Sequence, residues 1–244
     1  MEMAPAARSK SIRIREITDP RDAALASAYR LLSKTFPPGE RVDKREWVGS
    51  LRERAEQVLS DVAWHLIIAE DADGTVLGLV SGTFLGNVNV GVIGYLAIDS
   101  EKRAVGLGSR LRTQLRRACE RDALRIRGTP LDAIIGEVSP DNPWLRKLRS
   151  REGVLVLDLP YFQPRLRESD LPSPFALYYE SIGRQRKRLP VPELRRILYA
   201  IWRRIYRIPR PLERPAFRAM MRALEGRRTI GASKHRTATR TEKA

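Results

Sequence analysis

Cysteine and histidine are nearly absent from this chain. Its 244 residues include one cysteine, Cys119, and two histidines, His65 and His235. A single cysteine excludes an intrachain disulfide. The three residues together cannot form a Cys/His zinc cluster, and they leave little from which to build a Ser-His-Asp triad; no metal is expected. Long apolar runs are also lacking. The longest, Val90 to Ile98, falls well short of the ~20 residues of a membrane-spanning helix. The N-terminal stretch MEMAPAARSKSIRIREI has no apolar core of a secretory signal, so a cytoplasmic protein is the expectation.

Acidic residues are scarce in one part only. Residues 184–244 hold 19 of the 46 Lys and Arg but 4 of the 29 Asp and Glu, a net +15, against +2 for residues 1–183. With 42% hydrophobic and 31% charged residues, the whole has a globular composition. The chain is therefore read as a disordered N-terminus over 1–10, a domain over 11–183, a basic helical extension over 184–226 and a disordered basic tail over 227–244.

Periodicity supplies the elements. Ser11 to Ile17, with Ile12, Ile14 and Ile17 set among charges, predicts a first strand. Asp19-Pro20 predicts a helix start, Leu25, Tyr29, Leu32 and Phe36 its stripe, and Pro37-Pro38-Gly39 its end. Asp43 and Glu46 have capping-box spacing and head a second helix with Trp47, Leu51, Ala55, Val58 and Leu59 on one face. Trp64 to Glu70 and Thr75 to Phe84 read as strands joined through Asp73-Gly74, a hairpin signal. Val90 to Ile98 is apolar on both faces and predicts a central strand covered on two sides. Gly94 inside it either marks a kink or bulge or merely relieves packing. A helix from about Ser109 to Ala123 buries Leu111, Leu115, Ala118 and Cys119 and turns Arg110, Arg112, Arg116 and Arg117 outward. Leu131 to Val138 is a fifth strand, Asp141-Asn142-Pro143 cap a helix ending near Ser150, and Val154 to Leu159 and Phe175 to Ile182 complete seven strands, with Pro160 to Pro174 a loop. The order predicts mixed α/β architecture.

One stretch carries chemistry. Just after the buried fourth strand stands Arg103-Ala104-Val105-Gly106-Leu107-Gly108, and then a helix begins. Glycines let successive N–H groups converge, and a helix start adds free donors and a positive dipole end, so a phosphate or pyrophosphate is the natural guest. The Gly-Lys-Ser/Thr ending of a Walker A loop is missing, and the dinucleotide fingerprint matches poorly.

The Arg103-x-x-Gly106-x-Gly108 pattern at this point in the strand order, with Asn142 just after strand five and Gly153 eleven residues later, resembles the Gcn5-related N-acetyltransferase (GNAT) superfamily over roughly residues 11–182. The resemblance implies an α/β GNAT fold: a mixed, mostly antiparallel seven-stranded sheet with splayed central parallel strands, flanked by helices, to which this chain adds C-terminal helices. It implies acetyl-CoA as acyl donor. The backbone of Leu96, Ala97 and Ile98 would pair with the pantetheine arm. The amides of Ala104, Val105, Gly106, Leu107, Gly108 and Ser109 would hold the pyrophosphate, and Arg103 and Asn142 would join the cofactor site. Seven residues after Asn142 the family often has a tyrosine that protonates the leaving thiolate; here it is Arg149. Arginine is no ordinary acid at neutral pH, and leaves three readings: stabilising a thiolate, binding nucleotide phosphate, or plain solvation. A general base is needed because the amine is mostly protonated at neutral pH. Glu137, near the end of the fifth strand, is the first candidate, since partial burial would raise its pKa; the competing reading is a carboxylate facing water. Tyr161 is the candidate acid in place of Arg149. Glu40, Tyr178 and Tyr179 are further candidates, the last two pointing to opposite faces, and His65 reads as core.

In the extension, Glu193 to Tyr206 is amphipathic, with Leu194, Ile197, Leu198, Ile201 and Ile205 on one face and Arg195, Arg196, Arg203 and Arg204 opposite. A second helix from about Pro215 carries Phe217, Met220, Met221 and Leu224. Docking on the domain, an anionic partner such as RNA or DNA, and attachment to anionic lipid are all compatible with this pattern. The expected function is an acetyl-CoA-dependent N-acyltransferase acting by direct attack of an amine; the alternative is a non-catalytic acyl-CoA-binding or nucleic-acid- or ribosome-associated protein on the same scaffold. Expected partners are a coenzyme A thioester, an amine acceptor and an anionic partner for the basic region, with a homodimer left open.

Overall fold

The computed structural model describes residues 12–102, 106–164 and 172–233. The expected disordered N-terminus over 1–10 lies outside these residues, as does most of the basic tail. Contacts divide the chain into two units, one ending at Leu131 and the other starting at Asp132 and including everything described beyond it. The residues beyond 183 fall in the same unit as the strands before them.

The first unit is an antiparallel meander. Strand β1 (Arg13–Ile17) pairs with β2 (Val62–Glu70), β2 with β3 (Val76–Leu85), and β3 with β4 (Val90–Ile98). Helices α1 (Ala24–Thr35) and α2 (Lys44–Ala55) lie between β1 and β2 in the chain. Their stripes, Leu25, Leu32, Trp47 and Leu51, form a core with Ile17, Leu66, Ile68 and Leu79 from the sheet. Helix α3 (Leu107–Asp122) packs on β3, where Gly82 makes the approach possible. A Cβ at Gly82 would fall 2.6 Å from both Leu115 Cδ2 and the Val92 carbonyl oxygen.

Several expectations are corrected here. All ten residues of β3 are buried, whereas β4 leaves Gly94 exposed and its neighbours half-buried, so β3 is the strand covered on both faces. The sequence points to β4 instead because its apolar residues run together. Helix α1 starts at Ala24, not at Asp19-Pro20, because the Asp22 carboxylate accepts the Ala24 N–H at 2.9 Å while Asp19 closes a local turn onto the Arg21 N–H. Asp43 heads α2 without making a side-chain cap, so the capping box does not form. That helix ends at Ala55, leaving Val58 and Leu59 exposed. Arg112 is buried rather than outward-facing. Gly94 is the extra residue of a bulge, because Ser81 pairs with Tyr95 and the next residue, Gly82, with Ile93; a bulge is one of the two readings its position allowed.

In the second unit β8 (Ser173–Ser181) is central. It pairs antiparallel with β5 (Ala133–Val138), with β6 (Val154–Val156) and, at its start, with β7 (Tyr161–Gln163). Helix α4 (Trp144–Arg149) sets Leu145 and Leu148 against Val138, Val154, Val156 and Tyr178. Strand β7 lies inside the stretch expected to be a loop, so the count of seven strands is too low. Helix α5 (Val191–Ala200), a π turn over 201–205 and α6 (Pro215–Ala223) come next. Leu194, Ile197, Leu198, Ile201, Trp202, Phe217, Met220 and Leu224 are all essentially inaccessible to solvent, while Arg195, Arg196 and Arg203 are exposed. The expected tail also starts too early. Thr229–Gly231 forms β10, which pairs with β9 (Arg188–Pro190), Ile230 is fully buried, and the Ser233 N–H bonds the Val156 carbonyl. Three-residue strands are too short to show a period, and sequence reading passes over them.

Candidate functional site

The glycine-bearing turn is only partly described, since Arg103, Ala104 and Val105 lie outside the described residues. Gly106 has φ +69, the left-handed region that L side chains rarely adopt, and is followed at once by α3. Leu107 and Gly108, expected in the loop, thus join Ser109 in the first helical turn. Their N–H groups point out of the helix start, where the first intrahelical bond runs from the Arg110 N–H back to the Gly106 carbonyl at 3.2 Å. Among the described residues, side chains leave this end open: a Cβ at Gly106 would meet nothing within 4 Å, and one at Gly108 only Ile98 Cγ1 at 3.8 Å. Free donors, a positive dipole end and a bare backbone fit a diphosphate. On β4, Leu96, Ala97 and Ile98 pair with Val80, Leu79 and Gly78, just past the Gly94 bulge. Asn142 is exposed, and its carboxamide oxygen accepts the Trp144 N–H at 3.0 Å, a local cap on α4.

The second unit contains the most distinctive polar cluster. The Tyr161 hydroxyl donates to Glu137 Oε1 at 2.5 Å, and the Tyr206 hydroxyl donates to Glu137 Oε2 at 2.6 Å. Gln163 Nε2 donates to the Tyr206 oxygen at 2.9 Å. Tyr161 is 1% exposed. Glu137 is half-buried, yet the protein packed around its carboxylate raises its pKa; the two tyrosine donors pull the other way and do not cancel the burial. Burial, and then the charge of Glu137, push the Tyr161 phenol well above its ordinary value. The two residues chosen from sequence as base and acid are therefore hydrogen-bonded to each other. A buried phenol that already donates to a carboxylate is poorly suited to protonate a leaving group, and the role of acid does not follow from this geometry.

Sequence reasoning missed Tyr206 and Gln163. The reason at Tyr206 is a change of helical phase. After Ala200 the chain takes a wide turn in which the Tyr206 N–H bonds the Ile201 carbonyl, five residues back. A strict 3.6-residue period places Ile205 on the inner face, whereas the extra residue of a π turn rotates the residues after it, and Tyr206 reaches Glu137. Gln163 was missed because Pro160 to Pro174 reads as a loop, whereas β7 sets Gln163 two residues from Tyr161 on the same face of a strand.

Other candidates are placed elsewhere. Tyr178 packs edge-on against Trp144 (5.8 Å between centroids) beside Gly136, and Tyr179 is fully buried with its pKa pushed up to about 12 by that burial. Arg149 is exposed on α4, and Glu40 lies in a one-turn helix between α1 and α2. His65 is 2% exposed, with Nδ1 2.6 Å from Glu16 Oε1 and Nε2 2.7 Å from Asp122 Oδ2. Arg54 bonds Glu16, and Arg125 bonds Asp122 at 2.7 Å. Burial pushes the His65 pKa down, but the two carboxylates outweigh it and the net shift is upward. This is the core histidine expected from sequence. Cys119 is fully buried, and burial raises its pKa, so it is no nucleophile.

In the first unit, an open groove of about 830 Å³ runs along α2, lined by Tyr29, Asp43, Lys44, Arg45, Val48, Gly49 and Arg52. Tyr29 anchors its edge by donating to the Val42 carbonyl at 3.0 Å.

No protein-family model matches the sequence, and no curated protein matches it either. Solved structures match in fold. One, described as a GNAT-family acetyltransferase from Bacteroides thetaiotaomicron, superposes with a TM-score of 0.55 over 80% of this chain and 99% of its own, at 19% identity. Another, described as an acetyltransferase from Acinetobacter baylyi, superposes with a TM-score of 0.52 over 73% of this chain and 99% of its own, at 13% identity. The chain has the mixed α/β fold of GNAT acetyltransferases.

Proposed function

From that fold we propose an acetyl-CoA-dependent N-acyltransferase in which Glu137 is the general base. Acetyl-CoA supplies a thioester acyl group that an amine can attack directly. The carrying observation is the Glu137 carboxylate, held at both oxygens by tyrosine hydroxyls in surroundings that raise its pKa. A carboxylate with a raised pKa is a better proton acceptor near neutral pH than an exposed one. Glu137 takes the proton that the amine gives up as the C–N bond forms and the C–S bond breaks. The thiolate released takes a proton from solvent, since Arg149 stands where the family often places an acid. Tyr161 holds Glu137 in place rather than acting as the acid. Toward the donor, the N–H groups of Gly106, Leu107, Gly108 and Ser109 bind the diphosphate. The amides of Leu96 and Ile98 address the pantetheine arm and polarise the thioester carbonyl, while the Ala97 N–H turns toward Leu79 on β3.

The test is free-thiol release from acetyl-CoA with a panel of amines: an aminoglycoside, a polyamine, free amino acids and a lysine-containing peptide. Glu137→Gln should lower turnover about 10²-fold and leave coenzyme A affinity in calorimetry unchanged. The binding-only alternative has the opposite signature, coenzyme A affinity with no thiol release for any amine. Gly106→Glu puts bulk and negative charge at the helix start and should abolish coenzyme A binding.

A further inference from the structure

The extension after residue 184 carries a side chain to Glu137. We propose that Tyr206 is a positioning residue for Glu137, so that the C-terminal extension completes the catalytic site rather than decorating it. This rests on the reading of Glu137 as the base.

Four observations support it. First, the two donors address different oxygens, Tyr161 to Oε1 at 2.5 Å and Tyr206 to Oε2 at 2.6 Å. One donor leaves a carboxylate free to swing about its χ3 torsion, a broad, soft rotation. Two donors on opposite oxygens fix its plane and leave one lone pair on each oxygen for a substrate proton. Second, the direction of the Tyr206 proton is determined. Gln163 Nε2 donates to the Tyr206 oxygen at 2.9 Å, so the hydroxyl's own hydrogen is available for Glu137. Third, one short strand organises both donors. Tyr161 and Gln163 are two apart on β7, on one face of the strand, the first bonding Glu137 and the second orienting Tyr206. Fourth, the extension is held by its apolar side. Ile201 and Trp202, in the turn that delivers Tyr206, are 0% and 1% exposed, and the Trp202 ring meets Phe217 edge-on at 5.1 Å. The exposed Arg195, Arg196 and Arg203 are not among these buried residues, and Arg227 adds a bond from the extension to Asp158 at 3.0 Å.

A purely structural hydrogen bond would stabilise the unit without affecting proton transfer, and Tyr206→Phe separates the two. It keeps the ring and removes the donor. A hydrogen bond to the charged form lowers a carboxylate's pKa, so its loss should move the acid limb of the pH–rate profile upward by about one pH unit with little change in the KM for acetyl-CoA. Gln163→Met should move the limb in the same direction and less, because Tyr206 keeps its hydroxyl but loses its orienting partner. An acid limb that stays at the wild-type position in both variants overturns the proposal. Carbon-13 NMR of the Glu137 carboxyl carbon in the full-length protein keeps the test independent of catalysis. A raised midpoint in Tyr206→Phe upholds the hydrogen bond that orients Glu137; if Glu137→Gln then proves fully active, the base assignment falls and the catalytic role of the extension falls with it. An unchanged midpoint overturns the positioning role whatever the kinetics.

Discussion

Each unit buries an ionisable side chain between two hydrogen-bonding partners, and the two behave oppositely. In the first, His65 sits between the carboxylates of Glu16 and Asp122, which are themselves bonded by Arg54 and Arg125. In the second, Glu137 sits between the neutral hydroxyls of Tyr161 and Tyr206. Burial disfavours the charged form in both cases. At His65 the partners carry the compensating charge, which favours the imidazolium, and the pKa rises. At Glu137 the partners are dipoles, burial prevails, and the carboxylate is left more basic than an exposed one. A closed set of alternating charges holds a fold together. A carboxylate with dipolar partners retains a proton affinity that chemistry can use.

The comparison can be broken most severely by removing the elements that hold Tyr206. A chain ending at residue 183 loses Leu194, Ile197, Leu198, Ile201, Trp202 and Phe217 from its interior, each contributing about 1.5–3 kcal/mol. It should be insoluble or lack a cooperative melt. Deleting 227–244 removes β10 and the buried Ile230 and should lower the melting temperature, unlike the removal of a disordered tail.

Substituting His65 comes next. His65→Gln leaves two carboxylates facing a neutral amide and should cost about 3 kcal/mol by chemical denaturation. Its pH dependence has a definite sign. The folded pKa of His65 is raised, so its contribution is complete below the ordinary histidine value of 6.5 and is lost as pH rises through the folded value. Glu16 and Asp122 have lowered pKa values, net of a burial effect that raises them, and their contribution is lost as pH falls through those values. Stability should decline on both sides in the wild type. The alkaline decline should vanish in His65→Gln; if it persists, the ion network is not its source.

A smaller effect belongs to Gly136→Ala on β5. A Cβ there would lie 2.3 Å from the Tyr178 hydroxyl oxygen, and Tyr178 is 1% exposed, so the ring has little freedom to yield. A loss of about 1–3 kcal/mol is expected, read as a lowered denaturation midpoint.

The legible features of the sequence are those with a period. Strand β4 begins and ends at Val90 and Ile98, as its apolar run predicts, and the stripes of α1, α3, α5 and α6 are buried largely as their spacing requires. The glycine turn before α3 was visible because backbone freedom is written directly in residue type. Glu137 was visible because a carboxylate near the end of an apolar strand is anomalous. Tyr206 was not, because a π turn shifts the register without changing composition. Strands β7, β9 and β10, three residues each, are held by long-range partners that leave no local pattern.

The central claim is that Glu137 is the proton acceptor, and the most direct test is the pH dependence of kcat/KM for acetyl-CoA-dependent acylation in the wild type and Glu137→Gln, measured with whichever amine of the panel reacts. The account predicts a wild-type acid limb with a midpoint above the ordinary glutamate value of 4.5 and its disappearance in the variant, together with the fall in rate. An acid limb of the same midpoint in both proteins would contradict it.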